Sequence, residues 1–334
     1  MKFGIIGCRH GHIEDFIREM LDLGHTFIGI CEGEGKLAGA LAEKYHVPLT
    51  AVPEDVWERK PEIIGSSAVN NQKIRLLEAC AARGVHLMAD KPLVTRRQDL
   101  DRAEKILRGG RIQVGMMLTE RYNPGLAALK QAIGAGMLGK IIGFTILKPH
   151  KLSPASREAW HFSREENGGL VVDLMIHDFD LLRWFTGSEV AEVSGWMQVG
   201  NWEGYPDFPD DAKLLVRMED GSTATLQTDW WTPAAYPCYG KGLLVCTGTR
   251  GKCIVHTTGD PLFRPEKGSF AQLTTDQKDW GILPNPPMCG TLTGDFLDRI
   301  AGKPGKLTGE DILRASEAAI RADEAVRIIR RNES

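Results

Sequence analysis

Residues 2–13 read KFGIIGCRHGHI, and this stretch frames the fold. KFGIIG is a short apolar run suited to a buried strand, and the turn Gly7-Cys8-Arg9-His10-Gly11-His12 follows it directly. A helical pattern then begins, with Ile13, Phe16, Ile17, Met20 and Leu21 on one face and Gly24 as its stop. The alternation continues outward. TFIGICE, PEIIGSS, VHLMAD and RIQVGMM read as strands; KLAGALAEKYHV, QKIRLLEACAARG and RRQDLDRAEKILRGG read as helices between them. Apolar strands separated by helices imply a parallel sheet covered on both faces. Right-handed crossovers make that an α/β, doubly wound Rossmann domain, placed at residues 1–120.

The texture changes after residue 120. NPGLAALKQAIGAGMLG predicts a helix and KIIGFTILK a strand. GGLVVDLMIHDFDLLRWFTG, residues 168–187, is apolar almost all round and predicts one buried helix. Strands then dominate to about residue 257: EVAEVSGWMQV, AKLLVRM, STATLQTDWW, GLLVCTG and GKCIVHT. Their short connections, such as EDGS and TGTRG, favour a large, mostly antiparallel open sheet. Residues 258–290, rich in Pro, Gly and Asp, read as a loop. EDILRASEAAIRADEAVRIIRR reads as a closing long helix. Residues 121–334 are therefore expected to form a C-terminal α+β domain.

Bulk properties exclude several classes. A formal net charge of −3, with no basic stripe, argues against a nucleic-acid binder. The apolar runs are too short for a membrane span. No apolar leader precedes the first strand, so a cytoplasmic location is expected. The seven cysteines (Cys8, Cys31, Cys80, Cys238, Cys246, Cys253 and Cys289) are scattered, with no C-x-x-C pair and no Cys/His cluster at zinc spacing. They read as reduced thiols, and no metal is expected.

A strand, a Gly-rich turn and a helix make the dinucleotide-binding context. The pattern G-x-G-x-x-G would need glycine at 9 and 12, where Arg9 and His12 stand; Gly7 is in register. Arg9 blocks the usual backbone approach to a pyrophosphate but offers a guanidinium in its place, and Gly11 restores some room. Glu32 closes the second strand near the distance expected for the acid that binds ribose hydroxyls, and Glu34 follows. Two carboxylates there repel a 2′-phosphate, so NAD is expected over NADP; Lys36 softens the effect.

Two residues carry the chemistry. Lys91 sits in MADKPLVT at a strand end, where an open α/β sheet places its ligand crevice. On one continuous helix, Asp173, His177 and Asp180 would share roughly a 60° arc. A carboxylate–imidazole–carboxylate stripe on so apolar a helix reads either as a pocket wall or as a structural hydrogen-bonded trio. Lys148, His150 and Trp160 are weaker substrate-contact candidates. His161, beside Trp160, and Arg121, Tyr122 and Asn123, at the start of the second domain, are further candidates. For each of these, packing or surface exposure is an equal reading.

With GIIGCRHGHI, Glu32, D-K-P and D-x-x-x-H-x-x-D in this order, the chain resembles the Gfo/Idh/MocA oxidoreductases, named for glucose–fructose oxidoreductase and inositol 2-dehydrogenase. RYNPGLAALK (121–130), NGGLVVD (167–173) and DDAKLLVRMEDGSTATL (210–226) extend the resemblance over essentially the whole chain. It implies a substrate, commonly a sugar or cyclitol, bound between the domains beside the nicotinamide. It also implies a C-terminal sheet that assembles a homodimer or homotetramer. The usual E-K-P appears as Asp90, Lys91 and Pro92. Lys91 is similar to the lysine that contacts the reacting hydroxyl, His177 to the catalytic histidine, and Asp173 and Asp180 to the aspartates before and after it. Asp180 is expected to orient rather than touch substrate. The family's T-P-N-x-x-H becomes Ala68, Val69, Asn70, Asn71, Gln72 and Lys73, so proline and histidine are gone while Asn70 stays. Met175 replaces a usual small residue. The cofactor contacts so implied are Gly7, Cys8, Arg9, His10, Gly11, His12, Glu32, Ala68, Asn70, Asp90, Lys91 and Arg121.

The function expected is an NAD-dependent oxidoreductase working on a secondary alcohol or ketone of a sugar, cyclitol or related polyol. His177 serves as base, Lys91 stabilises the alkoxide, and Asp173 binds a neighbouring hydroxyl or tunes His177. Two alternatives share the fold: an NAD-dependent glycosidase, and a non-catalytic dinucleotide-binding sensor. Retention of both Lys91 and His177 argues against the sensor. Neither nucleic acid nor membrane is an expected partner.

Overall fold

The computed structural model describes residues 1–200, 202–260, 268–287 and 290–330. Cys289 lies outside them. The chain packs as two compact units. The first comprises Met1–Leu118, Glu165–Gly168 and Gly290–Glu317; the second comprises Thr119–Arg164, Gly169–Cys289 and Ala318–Ser334. Gly290–Glu317, which a single cut at residue 120 gives to the C-terminal part, thus packs in the first unit.

In the first unit, β1 (Lys2–Cys8), β2 (Thr26–Cys31), β3 (Leu49–Thr50), β4 (Ile63–Ser67), β5 (His86–Ala89) and β6 (Val114–Met116) form one sheet. Its order is β3-β2-β1-β4-β5-β6, every pair parallel. The order reverses between β1 and β4, which is where such sheets open a ligand crevice at their carboxyl ends. The central strand β4 is buried along its whole length. The helix Ile13–Asp22 buries Ile13, Phe16, Ile17 and Met20, the spacing of one helical face. Gly65 permits that packing: a Cβ there would lie 2.6 Å from Ile5 Cδ1 and 2.7 Å from Phe16 Cε1.

In the second unit, nine strands form a mixed sheet: β7 (Ile141–Pro149), β8 (Val190–Val199), β9 (Pro209–Met218), β10 (Thr223–Asp229), β11 (Leu243–Gly248), β12 (Gly251–His256), β13 (Phe270–Thr275), β14 (Lys278–Ile282) and β15 (Arg327–Arg330). The order is β14-β13-β12-β11-β7-β10-β9-β8-β15. Only β7 with β10 and β8 with β15 run parallel, so the sheet is mostly antiparallel as expected. On β9, Leu214, Val216 and Met218 turn to the core while Leu215, on the other face, is 60% exposed. The exposed Trp196 and Ile329 share the face of Leu215 by strand register.

Two expectations fail here. Part of the segment read as a loop, residues 258–290, is the hairpin β13–β14, whose strands carry less alternation than their ladder partners supply. The closing helix runs only over Gly309–Ala325; Arg327–Arg330 instead pair in parallel with β8. The helical period persists into RIIR, but the open edge of β8 supplies backbone partners that local propensity cannot foresee.

Candidate active site

The loops after β1, β4 and β5 are laced together in the first unit. The Arg9 N–H donates to Ser67 O at 3.1 Å, His10 N–H to Ser67 Oγ at 3.2 Å, and Asp90 N–H to Ser66 O at 2.7 Å. Gly7 has φ +81°, and a Cβ on it would meet the Ala68 Cβ at 2.4 Å, so glycine is required by the β4 loop itself. Above Gly11 the space is open.

Glu32 stands at the end of β2, as expected. Its carboxylate accepts from the Cys8 N–H at 2.8 Å and the Glu34 N–H at 3.2 Å. Arg9 turns toward these acids. Its Nη1 lies 3.6 Å from Glu32 and 3.9 Å from Glu34, and donates to Glu34 O at 3.2 Å. Burial first, and the Glu32 charge second, push the Cys8 thiol up to about 12, so it is neutral.

Asp90 is buried and takes both loop histidines. His10 Nδ1 lies 2.6 Å from Oδ2 and His12 Nδ1 3.1 Å from Oδ1, while the Lys91 N–H donates to Oδ1 at 2.8 Å. Burial opposes ionisation, but the two imidazoles outweigh it and hold the Asp90 carboxyl well below its ordinary range. Burial lowers His10 below the usual imidazole value, against the hydrogen bond to Asp90. Lys91 is itself buried, 7% exposed, and joined to Pro92 by a cis peptide bond. Beneath it lies Lys73, 1% exposed. Its ammonium donates to Asn70 Oδ1 and Asp90 O at 2.8 Å, Pro92 O at 3.2 Å and Lys91 O at 3.4 Å. Asn70 in turn donates to Asn167 O at 2.8 Å.

In the second unit the expected single helix is two: Gly169–Asp173, a turn at Leu174–Met175, and Ile176–Thr186. Asp173 therefore closes one helix while His177 opens the next. From Gly169 to Leu182 every residue is buried except His177, which is partly open. Asp180 belongs to a different arrangement. It receives Arg121 in a buried two-pronged pair, Nε to Oδ2 at 2.9 Å and Nη2 to Oδ1 at 2.6 Å. Arg121, expected at the cofactor, is thus engaged with Asp180.

Lys148, expected at the substrate, is buried with its ammonium between Glu120 and Asp178, the latter at 2.6 Å. Burial disfavours that ammonium, but the charges of Asp178 and Glu120 hold its pKa above the ordinary value. Two carboxylates share one cation, and burial pushes Asp178 up to about 6 against the pull of Lys148. His150 turns Nδ1 to Lys148 O at 2.8 Å and lies edge-on to Trp230 and Tyr239. Trp160 is buried and stacks on His161, with centroids 3.7 Å apart.

Residues 126–254 match the model of the GFO/IDH/MocA C-terminal domain. The myo-inositol dehydrogenase Hyg17 of Streptomyces leeuwenhoekii is 27% identical over 269 residues, 78% of each chain. The scyllo-inositol 2-dehydrogenase (NAD(+)) of Bacillus subtilis (strain 168) is 28% identical over 182 residues, 53% of this chain and 50% of that one. Residues 126–254 thus resemble the C-terminal domain of the Gfo/Idh/MocA oxidoreductases, and the relatives that match more of the chain do so at under 30% identity. A provisionally named oxidoreductase of Erwinia carotovora atroseptica SCRI1043 shares the fold, with TM-score 0.87 at 22% identity over 98% of this chain and 99% of that one.

Sequence reasoning missed two features, one in each unit. Lys73 was visible only as the loss of a family histidine, yet its ammonium gathers three carbonyls around Lys91. Asp178, adjacent to His177, was passed over for Asp180; its position next to the histidine was the available signal. Among the described residues, no helix is long and apolar enough to cross a membrane.

Proposed function

We propose that the chain is an NAD-dependent oxidoreductase acting on a secondary alcohol or ketone of a sugar, cyclitol or related polyol. The observation that carries this reading is Lys91: a buried lysine at the carboxyl end of β5, set among the laced loops of the β1/β4 switch point. Surface lysines after strands have no such setting. The inositol dehydrogenases among its relatives support the substrate class, and the Bacillus relative's name carries NAD(+).

The residues present fit a dinucleotide. Glu32 offers its carboxylate at the end of β2, and the space above Gly11 is open before the helix Ile13–Asp22. Arg9 offsets part of the charge of Glu32 and Glu34 but leaves an excess acid, which supports NAD over NADP. NAD, when bound, supplies the hydride acceptor. The protein's own work is to stabilise and move charge on the substrate oxygen. The Lys91 ammonium stabilises the developing alkoxide, and His177 takes the hydroxyl proton. Asp173 binds a neighbouring hydroxyl, and Asp180 fixes the helix of His177 through Arg121. The exposed sheet face bearing Leu215, Trp196 and Ile329 supports assembly through the C-terminal sheet.

The test is NADH formation with a panel of cyclitols and sugars, alongside calorimetry of NAD binding. Turnover on a polyol with NAD bound supports the proposal. NAD binding with no NADH formed on any of the panel, or no binding at all, overturns it.

A further inference from the structure

We propose that His10, His12 and Asp90 form a binding site for a divalent first-row transition metal ion of the zinc or cobalt type. The G-x-G-x-x-G pattern calls for no imidazole, yet two converge on one carboxylate here. The ligating atoms of the three residues all lie within 4.8 Å of one another. Ligands at zinc distances stand about 3.0–3.4 Å apart. His12 Nδ1 and Asp90 Oδ1 already have that spacing at 3.1 Å, and His10 Nδ1 need only withdraw slightly from 2.6 Å.

The charge at the site points the same way. The Asp90 side chain is 3% exposed. Among the described residues, no lysine or arginine pairs with its carboxylate. Lys73 donates to the Asp90 carbonyl instead, and the carboxylate's partners are the two imidazoles and the Lys91 N–H. A buried anion without a permanent cation is costly, and a dication held by all three groups removes that cost. The donor set of two imidazoles and one carboxylate selects a borderline transition metal over magnesium or calcium, which favour oxygen alone. Exposure rises from Asp90 through His10 (28%) to His12 (51%), so the remaining coordination positions open to solvent or to an oxygen ligand. On binding, each imidazole releases to solvent the Nδ1 proton that it donates to Asp90 and presents the Nδ1 lone pair, with its N–H now on Nε2.

The site lies within the first unit, so its test needs neither substrate nor NAD. Protein stripped with chelator is titrated calorimetrically with ZnCl₂, and CoCl₂ binding is followed by visible absorption. One equivalent is expected, with cobalt bands of a nitrogen/oxygen site. His12→Ala, at a half-exposed position that tolerates truncation, and His10→Ala should each weaken binding by about 100-fold or more. Absence of binding would overturn the proposal. So would binding unchanged in both variants, or a cobalt spectrum dominated by thiolate charge transfer, which would place the ion on a cysteine. NAD calorimetry on the same samples keeps this outcome separate from the oxidoreductase reading.

Discussion

The buried ammonium of Lys73 donates to the backbone carbonyl of Asp90 at 2.8 Å, one residue before Lys91. Its other partners, Asn70 Oδ1 and the Lys91 and Pro92 carbonyls, are also neutral oxygens. A lysine so placed fixes the backbone on both sides of Lys91. Lys73→Met frees those carbonyls, and displacement of the loop by even an ångström can cost about 100-fold in rate. Turnover should fall roughly 10–100-fold while NAD affinity changes little. Initial rates and calorimetry decide it; undiminished turnover would remove Lys73 from the positioning role.

The Arg121–Asp180 pair makes a stability prediction. Both side chains are buried and joined by two hydrogen bonds. Asp180→Asn leaves a buried guanidinium uncompensated, at a cost of about 3–5 kcal/mol. Arg121→Met removes the other partner, and the double variant Arg121→Met with Asp180→Asn should lose less than the two single losses added. Urea unfolding of the four proteins measures this, and strict additivity would contradict the pairing.

The contrast between these two features shows what sequence carries. The parallel sheet of the first unit was legible because its strands are near-continuous apolar runs between amphipathic helices. Glu32 was legible because it closes such a strand. His177 was legible as a polar residue in an apolar segment. What was not legible depended on partners distant in sequence. Asp180 meets Arg121 59 residues away, and the turn histidines meet Asp90 about 80 residues away. The break at Leu174–Met175 has no glycine or proline to announce it. RIIR pairs with an edge strand that no local pattern identifies.

Asp178 gives a pH dependence with a definite sign. Its folded carboxyl is raised from 3.8 to about 6, chiefly by burial. The folded state therefore holds this proton more tightly than the unfolded chain. The resulting contribution to stability is complete below about pH 3.8 and lost as pH rises through about 6. Asparagine at this position is neutral throughout. The stability of the parent protein relative to Asp178→Asn should therefore decline between pH 4.5 and 7. Urea titrations at both pH values test this; a constant difference would mean that Asp178 titrates normally.

Under the proposed preference for NAD, Arg9 would act on cofactor choice through Glu32 and Glu34. It lies 3.6 and 3.9 Å from their carboxylates. Arg9→Ala removes a positive side chain that pairs with Glu32, leaving the acids to repel a 2′-phosphate more strongly. The preference for NAD over NADP should widen several-fold, about 1 kcal/mol or less, given partial solvent screening. Glu32→Ser, with Arg9 kept, should narrow it. Calorimetry with both dinucleotides reads the ratio. An unchanged ratio in both variants would remove these side chains from ribose recognition.

The proposed chemistry divides between Lys91 of the first unit and His177 of the second. Lys91 is buried and backed by Lys73; His177 is the one partly open residue between Gly169 and Leu182. Oxidation of an alcohol requires charge stabilisation and proton removal at a single oxygen, and the proposed mechanism gives one task to each residue. Lys91→Ala and His177→Ala should each lower turnover by about 100-fold or more and leave NAD binding nearly intact. Under the proposed mechanism both act on one transition state, so the double variant should lose less than the product of the single losses. Independent structural roles would instead give multiplicative losses, matched by lower unfolding midpoints. Retained turnover in His177→Ala would transfer the proton to another base, and the assignment of His177 would fall.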